Sequence, residues 1–222
     1  MASPFGHNHH HHHGREDEFP PPPHDGRGEV HHAAHGGFYP EPPAVHHVSH
    51  DGSQPIRPYR DDDEIGGNRE TYKIYCRADP GLFLSIRHGQ LILARSNPSD
   101  PHQHWYKEEK YSTRVKDDEG LPSFALVNKG TGQAIKHASA ATKPVQLTEY
   151  NPDHLDKSIL WTESKDTGDN YKAIRMVNNI SLNFDAFHGD KDHGGVQDGT
   201  TIVNWEWTKG DNQRWKIVPY YY

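Results

Sequence analysis

The sequence predicts an all-β domain over residues 70–222, preceded by a disordered His/Pro/Gly-rich acidic tail over residues 1–69. Three observations carry this reading. Short runs of β character alternate with turn clusters, no segment holds a helical period, and tryptophans recur at a nearly constant interval beyond a tail that lacks them.

The first 68 residues hold 10 of the 17 prolines and 13 of the 20 histidines, and none of the five tryptophans. A segment so poor in large apolar residues buries too little surface to offset its chain entropy, so disorder is expected. Pro20 to Pro23 and Tyr39 to Pro43 favour extended polyproline conformations, which suit a spacer or a protein ligand. The charge divides at the same place. Residues 1–68 carry four Arg, no Lys and 11 acidic residues, whereas the remainder is neutral with 20 basic and 20 acidic residues. A neutral domain lacks the basic footprint of a nucleic-acid binder, and no apolar run reaches the length of a membrane span. With Cys76 as the only cysteine and no signal-peptide pattern at the start, nucleus and cytoplasm are the expected compartments.

The β runs are Tyr72 to Cys76, Leu82 to Ile86, Leu91 to Ala94, Phe124 to Asn128, Val145 to Tyr150, Ala173 to Val177 and Thr201 to Trp207. Turn clusters such as Asp79-Pro80-Gly81, His88-Gly89 and Asp198-Gly199 separate them. Trp105, Trp161 and Trp215 lie 56 and 54 residues apart. Each comes after a matching run, Leu91-Ile92-Leu93, Val145-Gln146-Leu147 or Ile202-Val203-Asn204, and a hairpin-like pair of strands is expected before each run, around Phe124 to Asn128 and Ile174 to Asn178. Three β units at one period form one pseudo-threefold body, because a single unit cannot cover its own apolar face.

The stretch from Asp185 to Trp215 concentrates binding chemistry. Asp185 offers a carboxylate, Trp205 and Trp207 share one strand face, and Asn212-Gln213 stand just before Trp215. Asp185, Trp205, Asn212 and Gln213 suit a small polyhydroxylated ligand: an aromatic plate covers its apolar face, the carboxylate accepts from hydroxyls, and the amides donate and accept. No nucleophile, metal cage or cofactor motif stands beside them, so neither catalysis nor a metal or other cofactor is expected. A glycosidase would need two carboxyls roughly 5 to 9.5 Å apart with one of raised pKa, and nothing in the sequence marks such a partner for Asp185.

Three repeats ending in a Gln-x-Trp-like motif resemble the ricin B-chain type of β-trefoil lectin. The strings His104-Trp-Tyr-Lys, Leu160-Trp-Thr-Glu-Ser-Lys-Asp, Arg175-Met-Val-Asn-Asn and Lys209-Gly-Asp-Asn-Gln-Arg-Trp-Lys-Ile resemble more specifically the Euonymus lectin family of plants. The resemblance covers residues 70–222 and implies a six-stranded barrel capped by three hairpins, glycan or glycoprotein partners, galactose- or mannose-type ligands, and no catalysis. Its pocket pattern falls on Asp185, Trp205, Asn212 and Gln213. The other repeats depart from it. Lys136 stands in the Asp position of the second with Ser158-Ile159 for the amide pair, and Ser85 and His102 stand in the first, where Gln103 survives. One competent site in the third repeat is therefore expected.

A different reading is a metal-binding or stress-related interaction protein. The tail histidines would bind metal ions or protein partners weakly, and His188, Asp190, Asp192 and His193 form a further cluster. Under either reading the tail carries no part of the core. Removing residues 1–69 is expected to leave the melting temperature nearly unchanged in a thermal scan, and a fall of many degrees would show that the tail packs on the domain.

Overall fold

The computed structural model describes residues 69–221. The tail expectations, including its metal and protein partners, lie outside the described residues apart from Arg69. Twelve strands run in order: β1 (Tyr72–Cys76), β2 (Leu82–Arg87), β3 (Gln90–Arg95), β4 (Trp105–Glu108), β5 (Ser123–Asn128), β6 (Gln133–Lys136), β7 (Gln146–Glu149), β8 (Trp161–Glu163), β9 (Ile174–Met176), β10 (Asn179–Ala186), β11 (Ile202–Glu206) and β12 (Trp215–Pro219). Four strands make a unit, and three units make the body.

Each unit opens and closes with a barrel strand. The ring runs β1, β4, β5, β8, β9 and β12 through antiparallel neighbours. It closes where Lys172, just before β9, exchanges both backbone bonds with Trp215, at 2.9 and 2.8 Å. Closure leaves the barrel no free sheet edge. The pairs β2–β3, β6–β7 and β10–β11 are the three hairpins. They join one another at bridges Ile92 to Thr201 and Pro144 to Val203. This is the β-trefoil that the sequence resemblance implies. The runs Phe124 to Asn128 and Ile174 to Asn178 are not the expected hairpin pairs but contain the opening barrel strands β5 and β9, and the hairpins come after them.

Why the tryptophans recur at one interval is visible in their bonds. The indole Nε1 of Trp105 donates to Leu84 O at 3.0 Å, that of Trp161 to Ile135 O at 2.9 Å, and that of Trp215 to Phe184 O at 3.0 Å. All three rings are fully buried, and each bond pins a closing barrel strand to the first strand of its own hairpin. The indole thus fills the core and satisfies its only polar atom at once. Apolar side chains at alternate positions complete the packing: Ile74 and Cys76 on β1, Leu82, Leu84 and Ile86 on β2, Leu91 and Leu93 on β3. Phe184 meets Trp161 edge-on with ring centres 4.5 Å apart, which links the second unit to the third.

Asn204, an inward polar residue amid apolar counterparts, has a structural use. It is fully buried, accepts from Ala138 N at 2.9 Å, and reaches Asn183 O at 3.4 Å. It stitches the second hairpin to the third. Before each core tryptophan lies a short 3-10 helix, Pro101–Gln103, Lys157–Ile159 or Asp211–Gln213. Among the described residues no helix is long and apolar enough to cross a membrane.

One charged cluster is buried beside the barrel. Asp117 accepts from Thr162 Oγ1 at 2.6 Å, from Arg175 Nη2 at 2.7 Å, and from the amides of Glu119 and Leu121 at 2.9 and 3.0 Å. Burial pushes its carboxyl up, but these four donors outweigh that and hold it below the usual carboxylate range. Asp117→Ala is expected to lose about 3–5 kcal/mol in urea unfolding, because Arg175 would be left buried with only the partly exposed Glu119. Glu119→Ala should lose less than about 1 kcal/mol.

Candidate functional site

The Trp215 clamp also sets the direction of its neighbours on β10. Phe184 gives its carbonyl to the indole, so the next residue along the strand, Asp185, turns outward on the opposite face. The same register puts Ser85 after Leu84 and Lys136 after Ile135. On the paired strand β11, Trp205 lies opposite Asn183, one rung from Asp185. Asp185, Trp205 and Asn212 line one open cavity of about 490 Å³, together with Phe187, His188, Asp190, His193, Thr208 and Gly210.

Gln213 is not among the lining residues, and it is fully buried. Its Nε2 donates to Asp185 Oδ2 and to Glu206 O, both at 2.8 Å, while its Oε1 accepts from Thr208 N at 2.7 Å. The expectation that both amides present donors to a ligand is corrected accordingly. Asn212 Nδ2 is also engaged, to Asp185 Oδ1 at 3.2 Å and Ala186 O at 3.1 Å. What the cavity offers is acceptors: Asp185 keeps lone pairs on both oxygens, and Asn212 keeps its Oδ1. Gln213 is a buttress that holds the carboxylate in place.

Two glycines make this arrangement possible. In the first two units an aspartate caps the 3-10 helix. His102 hydrogen-bonds Asp100 through Nδ1, and Ser158 hydrogen-bonds Asp156 through its hydroxyl, so both fold back on their caps. In the third unit Gly210 replaces that aspartate and gives no side-chain cap, and Asn212 turns to Asp185 instead. A Cβ on Gly210 would stand 2.3 Å from Asn212 Oδ1. A Cβ on Gly189 would stand 2.5 Å from Val196 and 2.9 Å from Asn212 Cβ, so the loop packs closely on Asn212 only without one.

The far wall is an aromatic group in which His188 and His193, which the sequence offers as part of a metal cluster, stand with Phe187. Phe187 and His188 rings lie 3.9 Å apart, His188 and His193 4.6 Å, and Phe187 and Trp205 6.1 Å. His188 sits in the left-handed region at φ 57°. Asp190 caps the turn Lys191–His193 and hydrogen-bonds His193 Nδ1 at 2.8 Å through both oxygens. That bond first, and the nearby charge, hold the Asp190 carboxyl below its ordinary value. Asp190 and His193 of the cluster are thus tied up in loop structure, and no three His, Cys, Asp or Glu groups converge as a metal site among the described residues.

Asp185 is pushed the other way, to about 6. Burial is the main cause and the Asp190 charge adds to it, while the bonds from Gln213 and Asn212 oppose it. The cavity therefore holds a carboxylate that charges only near neutrality.

No protein-family profile matches the chain. Curated relatives do. It is 61% identical over 151 residues to the ricin B-like lectin R40G3 of Oryza sativa subsp. japonica, covering 68% of this chain and 74% of that protein. The chain belongs to the ricin B-like lectins. It is also 61% identical over 160 residues to the ricin B-like lectin EULS3 of Arabidopsis thaliana, covering 71% of this chain and 50% of the relative, which bears out the Euonymus lectin resemblance. Against the rice lectin R40C1 it is 60% identical over 153 residues, covering 69% of this chain, and spans only 44% of that relative's length. Two solved structures share the fold. A designed 3-fold symmetric protein, ThreeFoil, superposes with a TM-score of 0.51 at 20% identity, over 67% of this chain and 97% of that one. The Rhizoctonia solani agglutinin gives 0.50 at 16% identity, over 71% and 99%.

The other two units of this ricin B-like lectin lack the constellation. In the first, Gln103 makes the equivalent backbone bonds, to Arg95 O at 2.9 Å and from Asn97 N at 2.8 Å, but it has Ser85 rather than a carboxylate beside it. In the second, Lys136 replaces the acid and Ile159 the glutamine. Trp207 is likewise separate from the cavity. It lies just beyond the end of β11, against the Arg214 guanidinium at 5.4 Å, and lines a different cavity.

The raised Asp185 pKa has a consequence for stability. The folded state holds the proton more tightly than the unfolded chain, so the stabilisation is fully present below about pH 4 and is lost as pH rises through 6. Between pH 5 and 7.5 the parent is expected to lose about 1.5 kcal/mol relative to Asp185→Ala, measured by urea unfolding at each pH. Parallel pH profiles for the two proteins would contradict this.

Proposed function

We propose that this ricin B-like lectin binds glycans without cleaving them, through the Asp185 cavity of its third unit. The observation that carries the reading is a cluster of hydroxyl acceptors against an aromatic plate: Asp185 and Asn212 Oδ1 on one side, Trp205 and Phe187 on the other. Vicinal hydroxyls donate to such acceptors, while the C–H face of the sugar covers the indole. His188 makes no hydrogen bond through its ring nitrogens among the described residues, and an imidazole there supplies at least one donor. Galactose suits the geometry, because its axial 4-hydroxyl leaves a face of C–H groups free for the indole. Mannose-rich glycans remain the second class.

Binding without catalysis is favoured by how the two cavity carboxylates are held. Asp185 has the raised pKa of a general acid, but both its oxygens are fixed by Asn212 and Gln213. Asp190, the other carboxylate, is engaged with both oxygens by His193 and is held low. A glycosidase needs its second carboxylate free to attack or to activate water.

A shallow site in competition with water should bind a monosaccharide in the millimolar range, about −4 kcal/mol. Asp185→Ala removes a charge-assisted acceptor worth about 1.5–3 kcal/mol and Trp205→Ala removes the platform, so each should abolish measurable binding in calorimetry while leaving the fold intact. Lys136→Ala should change nothing. Parent affinity should fall roughly tenfold from pH 8 to pH 5 as Asp185 takes up its proton near pH 6. Folded Asp185→Ala and Trp205→Ala proteins that bind as the parent does would place the site elsewhere, and recovery of a cleaved oligosaccharide would reverse the non-enzymatic reading.

A further inference from the structure

We infer that the Asp185 cavity is one end of an extended track for a linear, neutral oligosaccharide, running along the outward face of the β10–β11 hairpin into a second cavity walled by Trp207 and Arg175. The inference rests on the proposed glycan binding and adds to it the length of the ligand. Asn183 and Asp185 flank the core-facing Phe184 of β10 and so share one face, and Ser181 lines the second cavity beside Asn183. Asn183 is paired directly with Trp205. Directly opposed residues point to the same side, so Trp205 stands on this face as well.

The two cavities flank that rung without a lining residue in common. Trp205 walls the first, and its partner Asn183 walls the second, which has a volume of about 410 Å³. From Asp185 to Ser181 the strand runs about 13 Å, well beyond the width of one sugar ring.

The second cavity carries the same kinds of group as the first. Trp207 is half-buried and supplies an aromatic plate two residues beyond Trp205. Arg175 uses Nη2 for both Asp117 and Glu119, and its Nε is buried without a partner among the described residues, so the guanidinium keeps unused donor capacity. Asn183 directs its Nδ2 to Ser181 O and Trp205 O, which leaves its Oδ1 as an acceptor. Glu119 adds a carboxylate and Lys165 a second cation, and Arg175 is further matched by the buried Asp117 behind the lining, so two cations meet two carboxylates and a neutral ligand suits the cavity better than an acid. A site of donors, acceptors and one indole, on the other side of the Asn183–Trp205 pair from the first cavity, is what the inner rings of a chain of three or more sugars would occupy when its terminal ring rests on Trp205.

The test is calorimetric titration of the full chain with galactose against β1,4-galactotetraose, and with mannose against α1,2-mannotetraose. For the sugar that binds, the tetrasaccharide should bind the parent roughly tenfold or more tighter than the monosaccharide. Trp207→Ala should remove that gain and leave the monosaccharide affinity as it was. Ser181→Arg, at an exposed position, should block the track and do the same, which guards against a Trp207→Ala protein that fails to fold. Asp185→Ala should remove binding of both sugars. If Asp185→Ala abolishes binding while Trp207→Ala and Ser181→Arg leave the tetrasaccharide gain intact, the track is wrong and the single cavity stands. A folded Trp207→Ala protein that loses monosaccharide affinity as well would also overturn the track. If none of the four probes binds the parent, or all variants bind as the parent does, the glycan site and the track fall together.

Discussion

One hydrogen bond, made three times, governs this molecule: a buried indole N–H donating to a carbonyl on the first strand of the hairpin in the same unit. It sets the register of hairpin on barrel. The adjacent strand residue is thereby turned outward at an equivalent place in every unit, and there the chemistry diverges to Ser85, Lys136 and Asp185. Threefold repetition builds the body, and departure from it builds the candidate site. The departure is concerted. Asp185 appears together with Gln213, which donates to it, and with Gly210, whose missing side chain lets Asn212 turn from a helix cap to the carboxylate.

Two buried aspartates show how environment alone sets opposite behaviour. Asp117 meets a guanidinium, a hydroxyl and two amides, which hold its carboxyl below the usual carboxylate range. Its stabilisation is present at neutral pH and is lost as pH falls through its lowered pKa. Asp185 meets two neutral amides and no cation in contact, so burial dominates and charging it weakens the fold. One carboxylate holds neighbouring units together. The other keeps lone pairs that face an open cavity, at the expense of stability at neutral pH.

The barrel and its threefold order are legible in the sequence because tryptophan spacing reports a structural position directly. The strands it does not reveal, β4, β6, β8, β10 and β12, include two kinds. Trp105–Glu108 and Trp161–Glu163 are short and keyed by the tryptophan itself, while Asn179–Ala186 opens with polar residues that read as a turn. Phe124 to Asn128 reads as part of a hairpin rather than a barrel strand because a fully buried strand lacks the alternation that identifies which face is covered. At the site, Asp185, Trp205 and Asn212 stand together as their types suggest. Gln213 sits behind them, since a glutamine two residues before a core tryptophan has backbone and carboxylate to satisfy before any ligand. The aromatic wall of Phe187, His188 and His193 depends on a left-handed residue and a capped turn, which no periodicity reports. Gly210 is readable in principle, being the one position where the aspartates of the first two units are replaced.

The five tryptophan indoles and the Asn212 side-chain amide give the most direct test of where a glycan sits. In a 15N-labelled full chain titrated with the best-binding oligosaccharide, the resonances of Trp205 Nε1 and Asn212 Nδ2 are expected to shift most. Those of Trp105 and Trp161 Nε1, buried in the first two units, should stay in place. Shifts concentrated in the first or second unit, with Trp205 and Asn212 unmoved, would contradict a third-unit site built on Asp185.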